Sequence, residues 1–182
     1  MYESNIVTVR PVLSDDWPLL EQLFLLSSVT KGCWCMWPRT VRGEYRHGNP
    51  ENKCRLKNLV RSNTSPGLIA LRESEPVGWS AFGLISDFPQ YGDIENNSDI
   101  WAIACLFVSA AGRGQGIARA LVSTALEMAR DGGATTVYGP PQWWSPELSQ
   151  QTSHIARLLV QHGFKTIKSS GRVPLLRIDL PI

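Results

Sequence analysis

The stretch CLFVSAAGRGQGIARAL, residues 105–121, places an apolar strand, a glycine-rich turn and a helix start in direct succession. The strand is apolar on both faces, which is typical of the centre of a sheet. Gly112, Gly114 and Gly116 allow the backbone to approach a ligand closely. The free N–H groups and the dipole of a helix start favour an anion, and Arg113 adds a cation beside them. The segment therefore predicts a phosphate-binding turn between a central strand and a helix.

Two common nucleotide-binding motifs do not fit this turn. A Walker A loop requires a lysine after its last glycine, and the turn has none. A dinucleotide fingerprint requires a third glycine where Arg119 stands, followed by an acidic residue at the end of the next strand. That strand reads TTVY at residues 135–138. The phosphate ligand is therefore expected to belong to another class of cofactor.

Hydrophobic patterning and breaker residues give the element order β-α-α-β-β-β-α-β-α-β-β. The helices begin after Ser14 and Asn49, and later ones span 117–131 and 148–162, whereas 28–48 and 86–98 are predicted to be irregular. The predicted strands span residues 6–10, 68–72, 77–84, 99–108, 135–138, 164–168 and 175–180. Because strands and helices do not alternate regularly, this order indicates an α+β fold. We expect a mixed, mostly antiparallel central sheet flanked by helices, in a single domain over residues 1–182.

Composition narrows the class of protein. An apolar share of 43% supports a packed core, and a net charge of +2 gives no argument for a nucleic-acid partner. The longest apolar run, residues 100–108, is too short to span a membrane, and the polar N-terminus lacks the pattern of a signal peptide. The four cysteines are too few for a disulfide scaffold. We therefore expect a soluble cytoplasmic protein with reduced thiols.

The turn also fits the pattern Arg/Gln-x-x-Gly-x-Gly/Ala as Arg113-x-x-Gly116-x-Ala118. The motif follows an apolar strand, and Gly163-Phe164 later ends a helix before another strand. In these features the chain resembles the GNAT (Gcn5-related N-acetyltransferase) superfamily, and the resemblance covers nearly the whole chain in element order. It implies an acetyl-CoA-dependent N-acetyltransferase acting on a primary amine.

The resemblance also implies which residues bind the co-substrate. In the family, the strand before the motif splays away from the next strand, and the pantetheine arm of acetyl-CoA lies in the gap. The Pro140-Pro141 step suits a strand that stops pairing there. Carried over, Leu106, Phe107 and Val108 are expected to pair with pantetheine. The pyrophosphate is expected at Arg113, Gly114, Gln115, Gly116, Ile117 and Ala118.

The residues that move protons are less well defined by the sequence. Asp99, at the start of the cofactor strand, is the preferred base, with Asp93 and Glu95 as further candidates; the alternative for each is a solvated loop carboxylate. Many family members place a tyrosine acid on the helix after the fifth strand, but this helix has none. His154 is the remaining candidate acid, and the alternative for it is a surface histidine.

Residues 31–39, KGCWCMWPR, fall where the family commonly builds its acceptor site. Trp34 and Trp37 are predicted to wall a pocket in which Arg39 holds an acidic group of the acceptor. The alternative is a loop fixed by aromatic packing. The aromatic residues favour a small-molecule amine over a protein lysine, and a homodimer is common in the family.

Three questions remain open: metal binding, the place of a second aromatic patch, and the function itself. Cys33, Cys35, His47 and Cys54 could bind zinc, although Cys-x-Cys is a poor zinc spacing, and we expect no metal. Trp143 and Trp144 form a second aromatic patch that lines the acceptor groove, mediates dimer contact or is buried. The competing functions are a catalytically silent acyl-CoA-binding module and a metal-stabilised interaction domain.

Overall fold

The computed structural model describes residues 6–41, 43–62, 64–92, 94, 97–140, 149–167 and 175–181, without the side chains of residues 149–153. Seven strands of the described chain form one sheet in the order β1-β2-β3-β4-β5-β7-β6. The strands are β1 Val7–Pro11, β2 Gly67–Arg72, β3 Glu75–Leu84, β4 Ile100–Val108, β5 Thr136–Tyr138, β6 Lys165–Ile167 and β7 Leu175–Asp179. All neighbouring strands are antiparallel except β4 and β5. The predicted mixed, mostly antiparallel sheet is confirmed, with the apolar strand β4 at its centre.

The helices of the described chain are α1 Trp17–Leu25, α2 Ser28–Cys33, α3 Glu51–Arg61, α4 Ile117–Asp131 and α5 Ser149–Gln161. Each of these helices is too short or too polar to cross a bilayer. The prediction that residues 28–48 are wholly irregular is wrong, because their first six residues form α2. The Ser27 hydroxyl accepts a hydrogen bond from the Val29 N–H at 3.2 Å and caps this short helix.

The predicted polar loop at 86–98 is also partly wrong. Its start forms two single-turn 3-10 helices, Ile85–Asp87 and Pro89–Tyr91. Phe88 and Tyr91 are buried there, with 1% and 6% of their surface exposed. The segment therefore contributes to the core, which its many polar residues concealed.

The sheet carries a hydrophobic cluster on each face. Helices α1 and α2 pack on one side around an aromatic group in which Trp34 stacks on Phe24 and Trp17, with ring centroids 5.4 and 5.9 Å apart. Helix α4 packs on the other side through aliphatic residues such as Leu121 and Ala125. The two layers hold β4 from both faces, so its position is fixed by packing as well as by strand pairing.

Asp16 anchors the entry to α1. Its carboxylate accepts hydrogen bonds from the Arg10 guanidinium at 2.8 Å and from the Leu13 N–H at 2.7 Å. These bonds take the place of the cap predicted at Ser14, so α1 begins at Trp17. The bonds from Arg10 and then Leu13 outweigh the effect of burial and hold the pKa of Asp16 below its usual value.

We predict that Asp16→Asn lowers the free energy of unfolding by about 1.5–3 kcal/mol at neutral pH, because hydrogen bonds to a charged group are lost. A lowered folded-state pKa gives stability that is present above the unfolded pKa of about 3.9 and is lost as pH falls through the folded value. Urea unfolding of both proteins should therefore show the difference shrinking below about pH 4. A difference that stays constant down to about pH 2 would contradict this account.

Candidate active site

Strand β4 loses its partner on one side halfway along its length. It pairs with β3 from Trp101 to Val108, but with β5 only from Ile100 to Ala102. From Ile103 onward, no described strand pairs with the β5-facing edge. Its backbone N–H and C=O groups are therefore available to an extended ligand, which can add to a sheet edge as a strand would.

A β-bulge marks the place where β4 bends away. Ala81 of β3 lies opposite Cys105, and the next residue, Phe82, lies opposite Ile103, so Ala104 is an extra residue in β4. The buried Ser80 hydroxyl donates to the Cys105 carbonyl oxygen at 3.1 Å and braces the bulge. Bulges bend a strand and increase its twist, which opens the gap to β5.

A buried tyrosine holds the other side of this gap. The Tyr91 hydroxyl donates to the Gly139 carbonyl oxygen at 2.9 Å, and the Gly139 N–H donates to Leu176 at 2.8 Å. The Tyr91 and Tyr138 rings lie 6.2 Å apart. Burial raises the pKa of Tyr91 well above its usual value, so the hydroxyl keeps the proton that it donates. These contacts turn the chain after β5 toward β7 and define the apex of the gap.

The gap opens into a cleft of about 680 Å³. The predicted pantetheine residues Leu106, Phe107 and Val108 line one wall. The glycine-rich turn and the first turn of α4 form its end, and α5 forms the opposite wall. The other described residues that line it are Gly112, Arg113, Gly114, Gly116, Ile117, Ala118, Arg119, His154, Ile155 and Leu158.

The end of the cleft is built to receive an anion. Gly114 and Gly116 have positive φ angles of +74° and +77°, and a Cβ added at either would meet nothing within 4 Å. Both glycines thus face open space in a backbone conformation that other residues adopt at a cost. No side chain caps the start of α4, so its first N–H groups remain available. The described lining includes Arg113 and Arg119 but no carboxylate, which leaves the cleft positive.

The sequence prediction of the cofactor-binding residues is wrong for the side chain of Gln115, and it missed Arg119. The Gln115 side chain turns away from the cleft, donating to the Ala111 carbonyl at 2.7 Å and accepting from Arg72. It supports the turn, and only its backbone remains a candidate for ligand contact. Arg119 was not predicted, although its position in the first turn of α4 beside the motif was an available signal.

The structure does not bring Asp99 to the cleft. Asp99 precedes β4, about 23 Å along the strand from Leu106, at the end where β4 and β5 are still paired. Its carboxylate accepts a hydrogen bond from the Thr135 hydroxyl at 2.6 Å, and its carbonyl accepts from the Thr135 N–H at 2.9 Å. The prediction of Asp99 as the base is corrected: the residue joins the starts of two strands. Asp93 and Glu95 lie outside the described residues.

His154, the predicted acid, is exposed on α5 and lines the cleft. It lies on the wall opposite Leu106–Val108, which makes it the one candidate for proton transfer that the described structure places at the cleft. Its role stays a prediction.

The three predicted acceptor residues, Trp34, Trp37 and Arg39, lie in different surroundings in the structure. Trp34 is 4% exposed and lies in the aromatic stack, so the packing alternative is correct for it. Trp37 is 9% exposed and lines neither the cleft nor the second cavity. Arg39 is different, because it lines a second cavity of about 480 Å³ together with Met36 and residues of α3.

The cysteines do not form a metal cluster in the part of the chain that the structure describes. All four are free thiols; Cys33, Cys35 and Cys105 are buried and Cys54 is exposed on α3. His47 packs against Gly32 and contacts the Tyr45 hydroxyl at 3.2 Å. No three His, Cys, Asp or Glu side chains among the described residues are placed to share a metal ion. Trp143 and Trp144 lie outside those residues.

Comparison with known proteins agrees with this geometry. The model of the acetyltransferase (GNAT) family matches residues 28–139, more than half of the chain. The chain therefore belongs to the GNAT acetyltransferase family, in which an acetyl group is transferred from acetyl-CoA. The predicted family, fold and co-substrate are confirmed.

Solved structures share the fold at low sequence identity. A ribosomal-protein-alanine N-acetyltransferase from Brucella melitensis is 20% identical, with a TM-score of 0.60 over 95% of this chain and 99% of that one. The protein yncA from Salmonella typhimurium, solved with its cofactor acetyl-CoA, is 15% identical, with a TM-score of 0.61 over 97% and 95%. The paia N-acetyltransferase from Thermoplasma acidophilum, in complex with coenzyme A, is 15% identical, with a TM-score of 0.58 over 96% and 99%. No curated protein sequence matches the chain.

We predict that Asp99→Ala lowers stability without affecting the binding of acetyl-CoA, because its carboxylate bonds Thr135 far from the cleft. A double-mutant cycle with Thr135→Val, followed by urea unfolding, should give a coupling energy of about 0.5–3 kcal/mol. The rise in melting temperature caused by acetyl-CoA should equal that of the wild type. A reduced rise in Asp99→Ala alone would return this residue to the active site.

Proposed function

We propose that the protein is an acetyl-CoA-dependent N-acetyltransferase that acts on a primary amine of a small molecule. One observation supports this proposal most strongly: the free edge of β4 and the glycine turn lie in the same cleft. The free edge of β4 suits an extended amide-bearing arm, and the glycine turn at its end suits a pyrophosphate. Neither feature alone would favour a CoA thioester over another phosphate ligand.

The residues around the cleft fit that co-substrate in shape and charge. Gly114 and Gly116 leave space where side chains would otherwise project, and the N–H groups at the start of α4 point to the same end. Arg113 and Arg119 supply positive charge there. We assign the pyrophosphate to this turn and the pantetheine amides to the edge of Leu106–Val108, as their places in the cleft favour.

Acetyl-CoA supplies the activated acyl group, and the chain's own residues must orient it and manage protons. An attacking amine must be neutral, and the described lining of the cleft holds no carboxylate to accept its proton. Water at the open cleft is the simplest acceptor for that proton. We assign the stabilisation of charge on the acyl oxygen to backbone N–H groups near Leu106 and Phe107.

The lack of a lining carboxylate or tyrosine among the described residues also favours a second candidate, a catalytically silent acyl-CoA-binding module. Both functions use the same cleft, but only the enzyme releases free CoA when an amine is present. Release of CoA from acetyl-CoA across a broad panel of amines distinguishes them.

We predict that acetyl-CoA raises the melting temperature of the wild type and that Gly116→Trp abolishes this rise. A bulky side chain at Gly116 would fill the anion turn. Gly133→Trp is the matched control, because Gly133 has a φ of +78° with equally open surroundings and lies beyond the other end of α4, a helix about 22 Å long. At a concentration of about 100 times Kd, the rise should be about 5–10 °C.

The two variants should lose similar stability without ligand, since each places a side chain in the left-handed region. Equal rises in both variants would move the pyrophosphate away from this turn. No rise in the wild type at millimolar acetyl-CoA would count against both proposed functions.

We further predict a modest role for His154 as a proton donor to the leaving thiolate. His154→Gln should lower kcat about tenfold or less, because a thiol with a pKa near 8.5 needs little help to leave. The KM for acetyl-CoA should be unchanged. Steady-state CoA release measures both parameters. A raised KM for acetyl-CoA with unchanged kcat would instead make His154 a binding residue.

A further inference from the structure

The second cavity lies outside the acetyl-CoA cleft. It has a volume of about 480 Å³ and is bounded by the loop after α2, by α3 and by the 3-10 turn after β3. Met36 and Leu59 supply apolar surface, and Arg39, Arg55 and Asp87 supply charge. An apolar cavity of this size with a few convergent polar groups is typical of a small-molecule site.

Arg39 is a partly buried cation with unused hydrogen-bonding capacity. Its Nη2 donates to the Pro66 carbonyl at 2.5 Å, and its guanidinium lies over the Phe88 ring at 4.5 Å from the centroid. Its Nε–H is buried and has no acceptor among the described residues. Burial lowers the pKa of Arg39, but arginine stays protonated. The carboxylate of the cavity that acts on Arg39 is that of Asp87, which is exposed. An exposed carboxylate offsets only part of the cost of a buried charge, so a further anion that reaches Arg39 would be stabilised.

The remaining charges of the cavity select the kind of anion. Arg55 is exposed, and its Nη1 donates to the Thr40 hydroxyl at 3.2 Å, which leaves further N–H groups for a ligand. Asp87 is exposed and opposes the two arginines. The cavity therefore carries one net positive charge, which suits a single carboxylate better than a doubly charged phosphate.

The aromatic residues beneath Arg39 connect the cavity to the apex of the cleft. Phe88, on which Arg39 lies, packs against Tyr91 with ring centroids 6.3 Å apart. Tyr91 in turn bonds Gly139, where β5 turns away from β4. Two aromatic rings thus link Arg39 to Gly139, which lies where β5 leaves β4, at the end of the cleft away from the pyrophosphate turn.

We infer that the acetyl acceptor is a small amine that also carries a carboxylate, and that Arg39 and Arg55 bind this carboxylate in the second cavity. The inference rests on the proposed N-acetyltransferase function and adds the class of acceptor. The carboxylate fixes one end of the acceptor while its amine reaches the apex of the cleft.

The probes are matched pairs of amines with and without a carboxylate: the protein amino acids, β-alanine and 4-aminobutyrate, each beside its amide. Binding to the full chain is measured by calorimetry and by the shift in melting temperature, and transfer by CoA release. We expect at least one acid to bind and to be acetylated, with a KM about tenfold or more below that of its amide. If no acid binds, or if the amides bind and react as well as the acids, the inference is wrong.

Substitutions locate the site. Arg39→Gln should raise the KM for the acid about tenfold or more, and Arg55→Gln by less, whereas the KM for the amide should not change. Asp87→Asn should lower the KM for the acid, an effect in the opposite direction that a structural role would not produce. Arg61→Gln is the matched control, because Arg61 is exposed at the end of α3 and does not line the cavity. Arg55→Gln and Asp87→Asn alter exposed residues, so they keep the test valid if Arg39→Gln does not fold.

The outcomes separate this inference from the proposed function. Wild type that binds acetyl-CoA and acetylates only amines lacking a carboxylate would overturn the inference and leave the function in place. Acids that bind through Arg39 without any effect of acetyl-CoA on melting temperature would support the cavity as a carboxylate site and overturn the acetyltransferase proposal. If Arg39→Gln and Arg55→Gln both behave like Arg61→Gln, the cavity does not bind the acceptor.

Discussion

The unequal pairing of β4 is the constraint on which the site depends. On one side β4 follows β3 to Val108, and on the other it leaves β5 after Ala102. A fully paired strand would have no backbone groups left for a ligand, and a strand at the edge of the sheet would have no rigid wall opposite it. A central strand that is released on one side gives a firm support and a free edge together. The bulge at Ala104 and the bond between Tyr91 and Gly139 maintain the separation from either side.

The two faces of the sheet serve this arrangement differently. The aliphatic face under α4 fixes the glycine turn, since Ile117 and Leu121 are both fully buried just beyond it. Gly112 is held equally tightly, because a Cβ there would lie 3.2 Å from the Val77 carbonyl oxygen. The turn is therefore rigid at its base and open only at Gly114 and Gly116. Such preorganisation spares a bound anion the cost of ordering the loop.

Features of the fold and the site could be predicted from the sequence when the residues that form them lie close together along the chain. The glycine turn and the ends of α4 were predicted correctly, and the ends of α5 to within one residue, because they depend on residues a few positions apart. Asp99 was assigned to the wrong role because its partner, Thr135, is 36 positions away. The contact between Tyr91 and Gly139 spans 48 positions, and no local pattern indicates it. Trp34 had both properties of a pocket residue, a predicted irregular neighbourhood and a large ring, but it stacks on Trp17 and Phe24, which both lie in α1.

The two cavities differ in how their positive charges are held. The cleft gathers exposed arginines around open backbone N–H groups, an arrangement that tolerates solvent and suits a ligand with several negative charges. Arg39 instead lies on a phenyl ring with one buried N–H unpaired among the described residues, in surroundings that penalise a lone cation. Its contacts with Phe88 and Pro66 offset only part of that cost, because neither carries a negative charge, and the carboxylate of Asp87 in the same cavity is exposed. A residue held in this way is stabilised most by an anion, and the cavity beside it admits one of limited size and charge. Under the two proposals, pyrophosphate binds at the turn after β4, and a single carboxylate binds in the separate cavity beside Arg39.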